Sequence, residues 1–316
     1  MIWLRKALLV FVIFFGLLSL TATIAVSGLG SATLVRFAVD KIPSLEVDKI
    51  EGGLSSTLEL QGIKFHAQGL KVDSSSLSLT LKWRCFLQFA VCADQLSIAG
   101  LTIDIRDTQS EPESLSEQEH SLLQLPMLIA VEQLLLRDTR LTQAGAQHLT
   151  IDTLNTQLRA YQRIRLINTD ISSMQVHLPR DKEPPTDTPE LSAIALPDIF
   201  VPIALDLENL ALRNVTLIQS EQHKQNFAIA STASVSGTSI VIDSLRVEHE
   251  LGKLEAKGAL NTELGYPLDL DLSIDGKLDA ANPIQTSLEL GGSLTELTLN
   301  AAVTQPIEAS LDAQLQ

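Results

Sequence analysis

The sequence predicts a mainly β protein: an N-terminal transmembrane helix, then an elongated, curved, repeat-built antiparallel β-sheet. That sheet is expected to be groove-like, with an apolar interior. Three observations predict it. Apolar and polar residues alternate from Leu45 almost to Gln316, the period of half-buried strands. The alternation changes phase at a kinked octad that keeps returning, first as Leu58-x-Leu60-Gln61-Gly62-Ile63-x-Phe65. Only 4% of the 316 residues are aromatic against 45% hydrophobic, fewer aromatics than the core and clefts of a globular enzyme normally hold.

Within the octad, Leu60 and Ile63 are three residues apart, so simple alternation would put them on opposite faces. A β-bulge at Gly62 restores the phase, because it places two residues opposite one and glycine accepts the φ > 0 that some bulges need. The octad returns as Leu96-x-Ile98-Ala99-Gly100-Leu101-x-Ile103 and as Leu134-x-Leu136-Arg137-Asp138-Thr139-x-Leu141. It returns again as Ile164-x-Leu166-Ile167-Asn168-Thr169-x-Ile171 and Leu210-x-Leu212-Arg213-Asn214-Val215-x-Leu217. The kink is Gly, Gly, Asp, Asn and Asn, the residues that tolerate such geometry. Successive copies start 38, 38, 30 and 46 residues apart, a loose repeat of the kind found in quasi-linear β architectures.

At the N-terminus, residues 1–6 read as a cytoplasmic tail. Arg5 and Lys6 precede 29 uncharged residues, Ala7 to Val35, and about 20 apolar residues cross a bilayer. The anchor is expected at 7–27, its core being Ala7, Leu8, Leu9, Val10, Phe11, Val12, Ile13, Phe14, Phe15, Leu17, Leu18 and Leu20. A cleaved signal peptide is the competing reading, with Ala22, Ala25 and Ser27 near a cleavage point, but the run is longer than a signal core. The positive charges before the span put everything after it outside the cytoplasm. Residues 28–43 read as a juxtamembrane amphipathic helix, with Leu34, Phe37, Ala38 and Ile42 on one stripe and Pro43 ending it.

The β-repeat region spans 44–316. Two stretches interrupt it, 107–121 (acidic, with Pro112) and 179–190 (with Pro184-Pro185), and both read as solvated loops. A helical turn is expected near Leu122–Leu125, and Leu191–Pro202 reads as a short amphipathic helix over a sheet end. The last third is a strand series punctuated by Gly252, Gly265, Asp275-Gly276 and Gly291-Gly292. Its pattern runs to Leu315-Gln316 without a polar cap, as in an array that continues.

No residue pattern points to catalysis or a cofactor. The six histidines lie far apart, and no nucleophile elbow, phosphate loop or dinucleotide fingerprint occurs. Asp269 and Asp271 alternate with leucines as outward carboxylates, and Asn214-Val215-Thr216 matches a glycosylation acceptor only by falling inside the octad. A net charge of −15 without a basic stripe excludes nucleic acid as a partner. Cys85 and Cys92 are either a disulfide clamping a hairpin tip or two buried thiols; outside the cytoplasm the disulfide is stable. Two cysteines alone make no metal site.

Strands with one apolar face need a second layer, and few helices are available here. An open sheet would leave a groove, and a smooth aliphatic lining suits acyl chains. Its expected lining is Leu58, Leu60, Ile63, Phe65, Leu96, Ile98, Leu101, Ile103, Leu134, Leu136, Leu141, Leu210, Leu212, Val215 and Leu217.

The order of Arg5-Lys6, the anchor, Val39-Asp40-Lys41-Ile42-Pro43-Ser44-Leu45, Ile50-Glu51-Gly52-Gly53, the cysteine pair and Leu96–Ile103 resembles the N-terminal part of the TamB family. The likeness is strongest over residues 1–105; beyond, it rests on the octads, the two loops and Leu196-Pro197 before Leu205-x-Leu207. These later features are shared with the wider AsmA-like, bridge-like lipid transfer group. The resemblance implies a single-pass inner-membrane protein of the Gram-negative envelope, with its bulk in the periplasm. It implies a translocation and assembly module, phospholipid transport between the membranes, and outer-membrane protein assembly and secretion. It also implies an outer-membrane barrel partner of the Omp85 class, TamA, met through a C-terminal part beyond these residues. The alternative is a β-solenoid scaffold or adhesin with a closed core.

Overall fold

Seventeen strands join one hydrogen-bonded sheet in the computed structural model. The structure describes residues 33, 35–37, 39, 41–53, 55–67, 69–86, 88–105, 122, 124–143, 146–177, 200–218, 224–263, 265–279, 282–293 and 296–315. The expected tail 1–6, anchor 7–27 and loops 107–121 and 179–190 lie outside the described residues. Of the stretch 28–43, Thr33, Val35, Arg36, Phe37 and Val39 are helical. No helix among the described residues is long and apolar enough to cross a membrane.

The strands are β1 (Leu45–Gly52), β2 (Thr57–Ala67), β3 (Leu70–Leu81), β4 (Ala90–Ala99), β5 (Thr102–Ile105) and β6 (Leu128–Gln143). Next come β7 (Ala146–Ala160), β8 (Ile164–Ile171), β9 (Met174–His177), β10 (Val201–Ile218), β11 (Lys224–Gly237) and β12 (Ser239–His249). The last are β13 (Gly252–Asn261), β14 (Leu268–Asp279), β15 (Asn282–Gly292), β16 (Leu297–Gln305) and β17 (Ala309–Leu315). One short helix, α1 (Trp83–Phe86), sits between β3 and β4. Because β3 pairs with both β4 and β5, these two are one interrupted strand, and β7 relates β8 to β9 in the same way. The order across the sheet is β1, β2, β3, β4/β5, β6, β7, β8/β9, β10, and then a meander from β11 to β17.

The sheet is mixed, which corrects the wholly antiparallel expectation. β4 and β5 run parallel to β6, and β8 and β9 run parallel to β10. Parallel neighbours need a crossover of a dozen residues or more. The chain supplies 22 residues (106–127) before β6 and 23 (178–200) before β10. The two stretches read as solvated interruptions therefore fall inside the connections that return the chain along its strands. Val201 and Pro202 open β10 rather than ending a helix; proline is tolerated at a strand's start. Asp275-Gly276 is not a turn either. It lies inside β14, opposite Lys253 and Gly252.

Two seams of bulges cross the strands. At the first, every strand from β1 to β10 takes a three-residue step between inward side chains, for example Leu60 to Ile63, Ile98 to Leu101 and Leu212 to Val215. Because neighbours step together, register is kept until β11, which takes two residues where β10 takes three. Gly62, Gly100 and Asp138 sit on this seam with φ of 65°, 62° and 53°. The second seam uses Asp94 in β4, Glu132-Gln133 in β6, Asn168 in β8, Asn209 in β10 and Asp243-Ser244 in β12. Here β3, β7, β11 and β13 keep the two-residue step, so each contact with a bulged strand shows a register shift.

Bulges strand extra backbone groups, and hydroxyls meet several of them. Ser74 and Ser75 donate to the Ala99 carbonyl at 3.1 and 2.7 Å on the first seam. On the second, Thr156 and Thr169, both buried, share a 2.8 Å hydrogen bond.

Candidate functional site

The octads at 58, 96, 134 and 210 lie abreast. One row of directly paired residues runs Ile50, Leu60, Leu77, Ile98, Leu136, Leu154, Ile171, Leu212, Ile229, Val247, Leu254 and Ile274. Directly opposed residues on neighbouring strands share a face, so twelve aliphatic side chains form an unbroken line from β1 to β14. A second row is Leu45, Phe65, Val72, Ile103, Leu141, Leu149, Val176 and Leu217. A third, shorter row is Leu58, Leu79, Leu96 and Leu134, ending at Thr156. Ile63 and Val215 stand on the first seam, paired with Val47 and Phe227, and Leu210 pairs with Ser231. Leu101 stands on the same seam, its carbonyl accepting the Arg140 amide at 2.8 Å.

The fourth octad is displaced. Ile164–Ile171 kinks at Asn168 on the second seam, where Asn209 of β10 is its neighbour. The strand's place on the first seam is taken by Ser172-Ser173, between β8 and β9. Asn214 belongs to the first-seam step of β10, yet the left-handed residue of that strand is Asn209.

The other face is polar. Next to the second apolar row, Glu46, Lys64, Asp73, Thr102, Arg140, Thr150, Gln175, Thr216 and Asn226 pair in turn across nine strand positions. Ion pairs on this face brace the parallel contacts. Arg163 donates to Asp206 at 2.8 Å, Arg165 Nε to Glu208 at 2.9 Å, and Arg213 Nε to Asp170 at 3.0 Å. Lys82 meets Asp94 at 2.8 Å and also Glu132. Its hydrogen bond to Asp94, then that to Glu132, raises the ammonium's pKa above the ordinary range.

Most of the aliphatic row is only half-buried, and α1 and the helical residues of 33–39 are the sole described elements outside the sheet. Only twelve apolar side chains among the described residues are buried. No cluster of three His, Cys, Asp or Glu among them could hold a metal ion. Cys85 and Cys92 form a disulfide that ties α1 to β4 (Cα–Cα 5.8 Å). The ion pairs and the parallel contacts left no mark that the alternation pattern could reveal, and the second seam showed there through the displaced fourth octad.

Together these features describe a β protein of one large mixed sheet, with aliphatic rows along one face and charged and polar rows along the other. The chain belongs to the TamB family: the family model of the TamB N-terminal domain matches residues 17–316. It is 22% identical over 351 aligned residues to the translocation and assembly module subunit TamB of Haemophilus influenzae (strain ATCC 51907 / DSM 11121 / KW20 / Rd). The match covers 99% of this chain and 27% of that relative. No solved structure matches.

Proposed function

We propose that the chain is an inner-membrane-anchored, periplasmic portion of a translocation and assembly module subunit. Its aliphatic face is a trough for the acyl chains of phospholipids passing between inner and outer membranes. The observation that carries this reading is the unbroken aliphatic row across twelve strand positions. Acyl chains need length and no directional polar contacts, and such a row offers both. Bulges bend the strands that carry them, so two aligned seams favour folding the sheet into three bands with the row inside. Support for outer-membrane protein assembly and secretion belongs to the same reading, and contact with an Omp85-class barrel such as TamA is assigned to the C-terminal part of the family.

The alternative, a closed-core scaffold or adhesin, is less favoured: β1 and β17 each have one strand neighbour among the described residues, so the sheet keeps two open edges.

Leu101→Arg separates the two readings, since an unpaired charge in an apolar path is costly. A benzophenone side chain at position 63 is expected to crosslink phospholipid in the otherwise unaltered protein. In the Leu101→Arg background the crosslink is expected to fall while the β circular dichroism signal stays. Collapse of the fold, or no lipid adduct at position 63 in the unaltered background, rejects the trough.

A further inference from the structure

We propose that the disulfide-braced turn between β3 and β4, together with the neighbouring β7–β8 turn, is a binding site for the surface of an anionic phospholipid bilayer. Lys82–Val91 and Arg159–Arg165 contain five basic and four aromatic residues and no acidic one. The whole chain has 23 basic against 38 acidic residues and 13 aromatics (2 Trp, 2 Tyr and 9 Phe). Almost a third of its aromatics thus fall in two short turns at one edge of the sheet.

Two of these aromatics face solvent. Phe89 is 89% exposed at a left-handed φ of 54°, and Tyr161 is 49% exposed. Met127 and Leu128, just before and at the start of β6, are 43% and 41% exposed. The turns border one space: Lys82, both cysteines, Leu128, Tyr161 and Arg163 line a cavity of about 550 Å³. Lys82, Arg163 and Arg165 are held by Asp94, Glu132, Asp206 and Glu208. Arg84 and Arg159 are exposed and have no carboxylate partner among the described residues.

Aromatic rings beside free cations match a bilayer interface, where rings sit at headgroup depth and cations meet anionic lipid. A chain of net charge −15 is otherwise repelled by such a surface, so a basic patch sets where it can approach. The disulfide holds the turn in shape, which lowers the ordering cost of binding. The turn lies two to three strands from β1, at the sheet edge opposite the one where Leu45 begins that strand, so its approach to a bilayer rests on its own cations and aromatic rings. A bilayer surface is therefore the occupant, and a protein partner is the rival outcome. The site is independent of the trough.

The test replaces Phe89 by benzoyl-phenylalanine in the full-length protein in its native membrane, with Leu251 as the comparison position. Leu251 is 64% exposed, in the β12–β13 turn at the opposite edge. Phospholipid adducts are expected at position 89 at several times the yield at 251, falling several-fold in the Arg84→Glu, Arg159→Glu double variant. A thiol assay showing an intact disulfide guards against misfolding. In a second measurement, Trp3→Phe leaves Trp83 as the sole indole of the chain. Its emission in vesicles of brominated phosphatidylglycerol is expected to be quenched. Adducts to protein alone, equal lipid yields at 89 and 251, or unquenched emission overturn the proposal. Lipid adducts at position 63 with none at 89 leave the trough standing and remove this site.

Discussion

Asn168 and Asn209 sit side by side on the parallel pair β8 and β10 with φ of 52° and 57°, and the amide of Asn209 donates to that of Asn168 at 3.4 Å. A left-handed backbone costs an ordinary side chain about 1–2 kcal/mol, and asparagine less. Asn168→Ala is therefore expected to lower stability by about 1 kcal/mol while Asn168→Gly stays near neutral, as read by urea unfolding. Equal loss in both would show that the amide contact, not the backbone, sets the effect. Cys85 and Cys92 close a short loop, for which the loop-closure model gives about 2–3 kcal/mol. Protein isolated without reductant should take up no thiol label, and full labelling of both cysteines would count against the bond.

A hairpin turn sets the register of an antiparallel pair, but the parallel pair β8–β10 has no such turn. Its register is marked by three ion pairs at one sequence offset: Arg163 with Asp206, Arg165 with Glu208 and Asp170 with Arg213, each 43 residues apart. These groups are partly exposed, so each pair contributes about 0.2–1 kcal/mol and less in high salt. Arg165→Glu and Glu208→Arg should each destabilise, and the swapped double variant should recover most of the loss in low salt. Additive losses would mean that the pair does not set register. The kinks at Gly62, Gly100 and Asp138 were legible in the sequence because a three-residue step in an otherwise two-residue pattern is local. Strand direction was not, since a crossover and an acidic loop look alike until the partner 38 or 41 residues away is known. Asp275-Gly276 misled for the opposite reason: a good turn dipeptide stays in a strand when Gly252 opposite leaves it room to pair.

Among the described residues the main strand contacts all join hydrogen-bonded neighbours, so stability is close to a sum of nearest-neighbour contacts, as in a repeat array. The contacts are not uniform. Eleven of the twelve buried apolar residues precede Thr216, and the disulfide also lies in that part. From β13 on the strands form a plain meander with one such residue, Tyr266, and Leu311 in β17 is 57% exposed. Leu272 is the position at which to probe this unevenness. It lies in the row Leu245, Ala256, Leu272, Leu288, Ala301 and Leu311, half-buried in β14. Leu272→Ala should cost about 1–2 kcal/mol, less than the 2–5 of a fully buried leucine. In amide hydrogen exchange, protection is expected to drop from β13 to β17 and to remain in β2 to β8, because the main contacts between the two regions run through the strands between them. A uniform drop across all strands would mean that the sheet unfolds as one unit, and with it the nearest-neighbour account would fail.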